Sequence, residues 1–325
     1  MHASTNHVEA LVQRIRAGDI RALARAISAV ENHAPESTAL LKALFPHSGN
    51  AILLGFTGTP GAGKSTLVDQ VARVYRKAGK TVGIVAVDPT SPFSGGALLG
   101  DRIRMQSHHA DQGIFIRSMA TRGSLGGLAS TTADVATVLD ASGRDIVMIE
   151  TVGVGQDEVD IVRLADVTIV VLVPGMGDDV QTIKAGIMEI ADIFVINKAD
   201  RDGAERVQRE IRAMQTLAIR KDDWTSPIVK TVATSGAGID ELVEAIEGYR
   251  SYLEQSDQAR ARRIANWRGR IAEMLRDALF QRVLSYYLSE GEAARYAAEV
   301  ADHRRDPYSL VEKIVEGLGR PDERN

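Results

Sequence analysis

Cysteine is absent from the 325 residues, and that absence excludes a disulfide framework, a thiol nucleophile and any cysteine-ligated metal site. It is compatible with a reducing compartment. A basic excess is missing too: the formal net charge is −4, whereas a main partner made of nucleic acid demands a strongly positive surface. Long apolar runs are lacking, the longest being stretches such as Val167–Val173 (VTIVVLV), far short of the ~20 residues that span a bilayer. The opening segment MHASTNHVEALVQRIRAGD has no basic stretch followed by an apolar core, so it does not read as a signal peptide. Neither internal repeats nor low-complexity tracts occur. The expectation is a cytoplasmic, soluble protein with no nucleic-acid and no membrane partner. With 44% hydrophobic and 25% charged residues there is ample material for a core.

Before residue 50 the pattern is helical. Leu11, Ile15, Leu23, Ala26, Ile27 and Val30 recur at three- and four-residue spacing, and Gly18-Asp19 reads as a helix stop followed by an N-cap. A further short helix is expected over Thr38–Leu44. From there to about residue 248, short β-branched runs alternate with amphipathic stretches: Ala51–Phe56, Thr81–Val87, Ile114–Arg117, Asp145–Ile149, Val167–Val173, Ile193–Ile196 and Ile228–Thr231. Runs apolar on both faces belong to strands covered on both sides, and their alternation with helices implies an α/β fold around a parallel sheet. After Tyr249 the strands stop. Ile264, Trp267, Ile271, Met274, Leu275, Ala278 and Leu279 form a helical stripe, suited either to a subdomain packed on the α/β core or to a dimerisation arm. The chain thus divides into an N-terminal helical segment (1–48), an α/β domain (49–250) and a C-terminal helical region (251–325).

The strongest chemical signal is Gly58-Thr59-Pro60-Gly61-Ala62-Gly63-Lys64-Ser65, a full G-x-x-x-x-G-K-[ST] pattern between a strand and a helix that opens with Thr66. Glycines let such a loop turn its N–H groups toward phosphate oxygens, and the helix N-terminus adds about half a positive charge. Lys64 then meets the β- and γ-phosphates, and the Ser65 hydroxyl ligates Mg²⁺. Asn197-Lys198-Ala199-Asp200 follows the strand IFVI. An Asp carboxylate there can accept two hydrogen bonds from the N1–H and N2–H₂ edge of guanine, which adenine cannot supply. Asn197 and Lys198 would brace the loop and flank the base. Ser235, Gly236 and Ala237, after the next strand, stand where backbone N–H groups could close over the base edge.

Acids complete the constellation. Glu150 ends the apolar run Asp145–Ile149 and is followed by Gly153, whose N–H can reach the γ-phosphate; Asp88 ends another strand before Pro89, and Asp101 follows the Gly95–Gly100 segment. All three acids are candidates for the shell of Mg²⁺ and its water. His108-His109 reads as a surface pair, because adjacent helical residues point about 100° apart.

GFTGTPGAGKSTLVD, AVDPTSPFSGGALLGDRIRM, IETVGVGQDEVD and INKAD, in that order, resemble the MeaB/MMAA-type GTPases, also called ArgK. The resemblance covers essentially the whole chain. It implies a P-loop GTPase of the SIMIBI type, with N-terminal helices and a C-terminal helical dimerisation arm. It also implies a G-protein chaperone that loads, protects and reactivates an adenosylcobalamin-dependent acyl-CoA mutase. On that resemblance Lys64, Ser65, Asp88, Asp101 and Glu150 surround Mg²⁺ and the phosphates, while Asn197, Lys198 and Asp200 select guanine. A third switch would fall on GMGDDVQTIKAG, where Asp178, Gln181 and Lys184 couple nucleotide state to the mutase and assist hydrolysis. The family pattern is often GAGDELQGIKKG, and the departures at Met176, Thr182 and Ala185 leave the client open between methylmalonyl-CoA mutase and a related enzyme. An adenosyltransferase is a further implied partner, and cobalamin is not expected to bind directly.

The expected reaction is hydrolysis of GTP by water in line with the β–γ bridging oxygen, leaving GDP in a homodimer. Intrinsic turnover should be slow, since only Arg102 and Arg104 are candidates for a transition-state cation. Competing readings are a small-molecule kinase, which needs an acceptor pocket and a base that do not stand out, and a metal-insertion GTPase, whose Cys/His ligands are missing. A scaffold that binds GTP without turnover is disfavoured by the acid cluster.

Overall fold

The computed structural model describes residues 2–88, 111–120, 127–151, 164–175, 190–217, 223–256, 258–286 and 288–318, and the elements below are numbered over these. Three helices open the chain: α1 (His2–Arg16), α2 (Ile20–Glu31) and α3 (Ser37–Leu44). Asp19 separates the first two as expected, its carboxylate accepting hydrogen bonds from the N–H groups of Arg21 and Ala22, which satisfies donors that a helix start leaves open.

Seven strands follow, one for each of the seven apolar runs: β1 (Ile52–Gly58), β2 (Val82–Asp88), β3 (Ile114–Ala120), β4 (Ile146–Glu150), β5 (Val167–Leu172), β6 (Ile193–Asn197) and β7 (Ile228–Thr231). They form one sheet in the order β3-β2-β4-β1-β5-β6-β7, with every pairing parallel. Between them lie α4 (Lys64–Lys77), α5 (Gly127–Ala141) and α6 (Ala204–Leu217), and α7 (Ile239–Gln255) follows β7.

Side chains alternate across the sheet with period two, so each strand feeds two cores. Ile146 and Met148 of β4 join a cluster with Leu67 and Val71 of α4 and Leu242 and Ile246 of α7. Val147 and Ile149 face the other way, onto Ile15, Leu23 and Ile27 of the N-terminal helices and Val138 of α5. The N-terminal helices therefore cover one face of the sheet, with Arg117 of β3 also pairing Glu31 of α2. Helix α6 packs Val207 and Ile211 against β5 and β6. All-parallel sheets need both faces covered, and here they are.

A recurrent device sets the register at the strands' N-terminal edge. Asp145, Asp166 and Asp192 each immediately precede a strand, and each carboxylate accepts the N–H of a neighbouring strand or its lead-in: Thr81 at 2.7 Å, Leu53 at 2.9 Å and Thr168 at 2.8 Å. Asp192 is almost fully buried and is also held by both terminal nitrogens of Arg262, at 3.0 and 2.9 Å. Burial opposes that guanidinium's charge, but the Asp192 carboxylate outweighs it and keeps Arg262 firmly protonated.

The chain falls into two compact units, 1–263 and 264–325. Helix α8 (Gln258–Tyr286) crosses this division, and α9 (Glu290–Ala301) and α10 (Pro307–Leu318) complete the second unit. Ser289 and Glu292 form a reciprocal capping box at the start of α9. No helix among the described residues is long and apolar enough to cross a membrane.

Asp192→Ala takes away the carboxylate paired with Arg262 and the acceptor of the Thr168 N–H, so it should destabilise the fold by about 3–5 kcal/mol in urea unfolding; a loss below ~1 kcal/mol would contradict the assigned role. Asp145 provides a pH test. Burial pushes its carboxyl up, but hydrogen bonds from the Thr81 N–H and hydroxyl, helped by Lys80, hold it below its ordinary 3.8. Its contribution is therefore complete above 3.8 and fades as pH falls through the lower folded value. The gap in melting temperature between wild type and Asp145→Asn should narrow on acidification; a constant gap counts against it.

Candidate functional site

Strand β1 ends at Gly58 and α4 begins at Lys64, so residues 59–63 form a short loop at the C-terminal edge of the sheet. Two glycines make this geometry possible. Gly58 has φ +133°, and a Cβ on it would lie 2.0 Å from the carbonyl oxygen of Val171 in β5. Gly63 has φ +85°, and its Cβ would come within 2.6 Å of the Asn197 amide nitrogen. Pro60, Gly61 and Ala62 complete the loop, and Lys64, Ser65 and Thr66 form the first turn of α4. First-turn N–H groups have no partner within their own helix and carry the positive end of its dipole, which makes this turn a ready anion cradle. Lys64, 5% exposed, folds back over the loop, its ammonium donating to the Gly58 and Thr59 carbonyls at 2.7 and 3.0 Å.

The sheet register brings the first acid to this loop. Phe56 of β1 is level with Glu150 of β4, and the Ser65 hydroxyl donates to Glu150 Oε1 at 2.5 Å. A hydroxyl and a carboxylate converging beside a phosphate cradle are hard oxygen donors of the kind Mg²⁺ takes, usually with one or two carboxylates and the nucleotide's own oxygens. The residues present thus fit that ion. Ala86 of β2 is level with Glu150, which puts the backbone of Asp88 at the same edge of the sheet. The Asp88 side chain lies outside the described residues, as do Asp101, Arg102, Arg104, His108, His109, Gly153, Asp178, Gln181 and Lys184. Among the described residues no group of three His, Asp or Glu side chains is placed to hold a metal.

Two neighbouring residues join the end of β6 to the loop between β1 and α4. Asn197, buried at the end of β6, donates from Nδ2 to the Ala62 carbonyl at 2.8 Å, while its Oδ1 accepts from the Thr231 hydroxyl and the Ala233 N–H, both at 3.1 Å. Lys198 adopts φ +55° and reaches the Gly61 carbonyl with its ammonium at 2.7 Å. Asp200 is exposed, and no hydrogen bond of its carboxylate is seen among the described residues. Beside it the 232–237 segment closes on itself: the N–H groups of Ser235 and Gly236 both donate to the Val232 carbonyl, and Val232 N–H donates to Ala237. The structure therefore gathers Gly58–Thr66, Glu150, Asn197–Asp200 and Ser235–Ala237 along one edge of the sheet.

Residues 23–287 match the family described as methylmalonyl-CoA mutase-associated GTPase MeaB. The chain belongs to the MeaB family. Its relatives include a Pyrococcus abyssi protein that carries a GTPase name, 49% identical over 317 residues that cover 96% of this chain and 97% of that one. GTPase ArgK of Escherichia coli is 36% identical over 296 residues, 88% of this chain and 87% of its own. Among solved structures, one of a LAO/AO transport system kinase superposes with a TM-score of 0.72 at 27% identity, over 96% and 98% of the two chains. Fold, family and relatives agree on a P-loop GTPase, and GTP hydrolysis is the activity of this chain.

Sequence reasoning missed the partners of Asn197, since Thr231 and Ala233 carry no motif, and it missed the edge aspartates. The latter had a signal: Asp145-Ile-Val, Asp166-Val-Thr and Asp192-Ile-Phe repeat one Asp before a β-branched pair or its aromatic equivalent. Asn197→Ala strands the Ala62 carbonyl and the Ala233 N–H without their partner. At about 1–3 kcal/mol for each buried group left unsatisfied, it should both lower stability and weaken GDP binding. Unchanged urea midpoint and unchanged GDP affinity would refute that coupling.

Proposed function

We propose that this GTPase serves an adenosylcobalamin-dependent acyl-CoA mutase, using GTP binding and hydrolysis to gate cofactor loading, protection and reactivation. The observation carrying the reading is the match to a mutase-associated family over residues 23–287. Methylmalonyl-CoA mutase is the first client to test, with an adenosyltransferase as a further contact.

In the proposed mechanism the loop N–H groups of residues 58–66 hold the triphosphate. Lys64 transfers its ammonium from the Gly58 and Thr59 carbonyls to the β- and γ-phosphate oxygens, where negative charge grows in the transition state. Ser65 and Glu150, with Asp88 and Asp101, would hold Mg²⁺, which when bound supplies positive charge at those same oxygens. Gly153 contributes an N–H to the γ-phosphate. Water attacks the γ-phosphorus in line, the bond to the β–γ bridging oxygen breaks, and GDP and inorganic phosphate leave. Asp200 accepts the N1–H and N2–H of guanine, Lys198 flanks the base, and Ser235, Gly236 and Ala237 line its edge. Asp178, Gln181 and Lys184 form the switch through which the mutase senses the nucleotide. No arginine among the described residues reaches the loop, so intrinsic turnover is slow until the partner orders the switches.

The C-terminal region supports a homodimer. Ile264, Ile271, Met274, Leu275 and Leu279 lie on α8 with 47–59% of their surface exposed. A continuous apolar stripe of that kind is the signature of a helix face awaiting a partner, and a second copy of the same helix is self-complementary to it.

Three measurements test this reading. Asp200→Asn should weaken GTP binding by at least about 100-fold while leaving the melting temperature unchanged, because the carboxylate is exposed and loses only its pair of bonds to guanine; undiminished guanosine preference would remove Asp200 from the site. Single-turnover GTP hydrolysis should accelerate on adding the mutase, and equal rates would count against the chaperone role. Leu275→Glu should convert a dimer to monomers in light scattering without loss of GTP binding; a monomeric wild type would end the dimer reading.

A further inference from the structure

At the edge of the sheet opposite the phosphate loop, beside the N-terminal ends of β1 and β4, lies a cavity of about 420 Å³. That is within the size range of small-molecule sites, roughly 300–1,000 Å³. Three basic side chains line it: Arg144 on the turn between α5 and β4, Arg16 at the end of α1, and His47 from the short helical turn before β1. Two carboxylates, Asp140 and Asp145, line it as well.

The charges are not equivalent. Asp140 is already engaged by the N–H groups of Gly49, Asn50 and Ala51, and Asp145 by Thr81 and Lys80. Both carboxylates are thus stabilised where they stand. Arg144 is in the opposite position. Only 8% of it is exposed, yet no carboxylate lies within ion-pairing distance among the described residues. Its contacts are through one terminal nitrogen, to the carbonyls of Gly113 at 3.0 Å and Gln112 at 3.5 Å. Burial lowers its proton affinity and the nearby Arg76 charge lowers it further, while Asp111, already paired with Arg76, offsets this only in part. A buried arginine is ordinarily paired, because an unbalanced buried charge is strongly unfavourable. The remaining N–H groups of the Arg144 fork, with the exposed Arg16 and the imidazole of His47, therefore form a donor-rich corner whose anion comes from outside the fold. Planar guanidinium forks and cationic side chains in such a corner suit an oxyanion.

We propose that this cavity binds a phosphate-bearing small molecule, its phosphate held by Arg144, Arg16 and His47, at a site separate from the nucleotide loop. The cavity is larger than a bare phosphate needs, which favours an ester over the free ion. Because Asp140 ends α5 and Arg144 leads into β4, the strand that delivers Glu150, an occupant here would sit at the far end of a strand shared with the nucleotide site.

The test uses the full chain saturated with GDP and Mg²⁺, so that the phosphate loop is filled, at constant ionic strength. Inorganic phosphate, glycerol phosphate and acetate are titrated by calorimetry. Saturable binding of glycerol phosphate is expected, with inorganic phosphate weaker. Equal affinity of the two would identify the free ion as the ligand. Arg144→Met should weaken binding by about tenfold or more and Arg16→Ala several-fold, the range expected for loss of a charge-assisted hydrogen bond. In phosphate-free buffer Arg144→Met should melt no lower than wild type, because it removes an unbalanced buried charge. Absence of saturable binding, tighter binding of acetate than of either phosphate, or wild-type affinity in Arg144→Met would overturn the proposal. So would a lower melting temperature of Arg144→Met without phosphate, which would mark a purely structural arginine. Guanine-nucleotide affinity of Arg144→Met should match wild type, so the outcome stands apart from that of the nucleotide-site variants.

Discussion

The buried amide of Asn197 is the contact on which the site rests. It reaches the Ala62 carbonyl with its nitrogen and takes hydrogen bonds from Thr231 and Ala233 with its oxygen. One side chain thereby fixes the phosphate loop, the end of β6 and the segment after β7 in a single arrangement. A buried amide has four hydrogen-bonding positions, and here three are met by groups from two separate segments, one at Ala62 and one at Thr231–Ala233. The close approach works only because Gly63 offers no Cβ, and the loop can start only because Gly58 slips past Val171. The loop, the end of β6 and the segment after β7 are consequently tied together at the C-terminal edge of a parallel sheet, where ligand sites in open α/β folds form.

The opposite edge is organised by the same economy of short polar side chains. Asp145, Asp166 and Asp192 each stand one residue before a strand and cap a neighbour's N–H, which holds parallel strands in register where no hairpin turn can do so. Asp192 adds Arg262 to this edge, binding the root of α8 to the strand whose other end carries Asn197. Arg144 is the exception on this edge. The buried carboxylates of this edge have N–H partners or a counter-charge at hand, whereas this guanidinium makes its hydrogen bonds to carbonyl oxygens, and the nearest carboxylate, Asp111, is committed to Arg76.

Much of the architecture was legible from local pattern. Each of the seven apolar runs became a strand, because runs such as Asp145–Ile149 and Val167–Val173 are too short for helices and apolar on both faces. Gly18-Asp19 announced the α1–α2 break through backbone freedom and capping, both properties of adjacent residues. The phosphate loop was legible for the same reason: its function resides in consecutive residues. Glu150 could be anticipated as the acid ending a strand, although its 2.5 Å contact with Ser65 spans 85 positions of chain. The tie of Asn197 to Thr231 and Ala233 left no mark, since hydroxyls and backbone N–H groups are everywhere in a sequence.

Sequence alone therefore determined the elements and the glycine loop between β1 and α4, both of which depend on covalent neighbours and short-range periodicity. Strand order was decided by tertiary structure, because the pairing of β1 with β4 and β5 depends on which faces can be covered together. So was the joining of Asn197 and Lys198 to the loop, which requires two segments more than a hundred residues apart to meet. The lack of an ion-pair partner for Arg144 among the described residues belongs to the same class: whether a charge is paired is a property of the space around it, and no residue spacing encodes that.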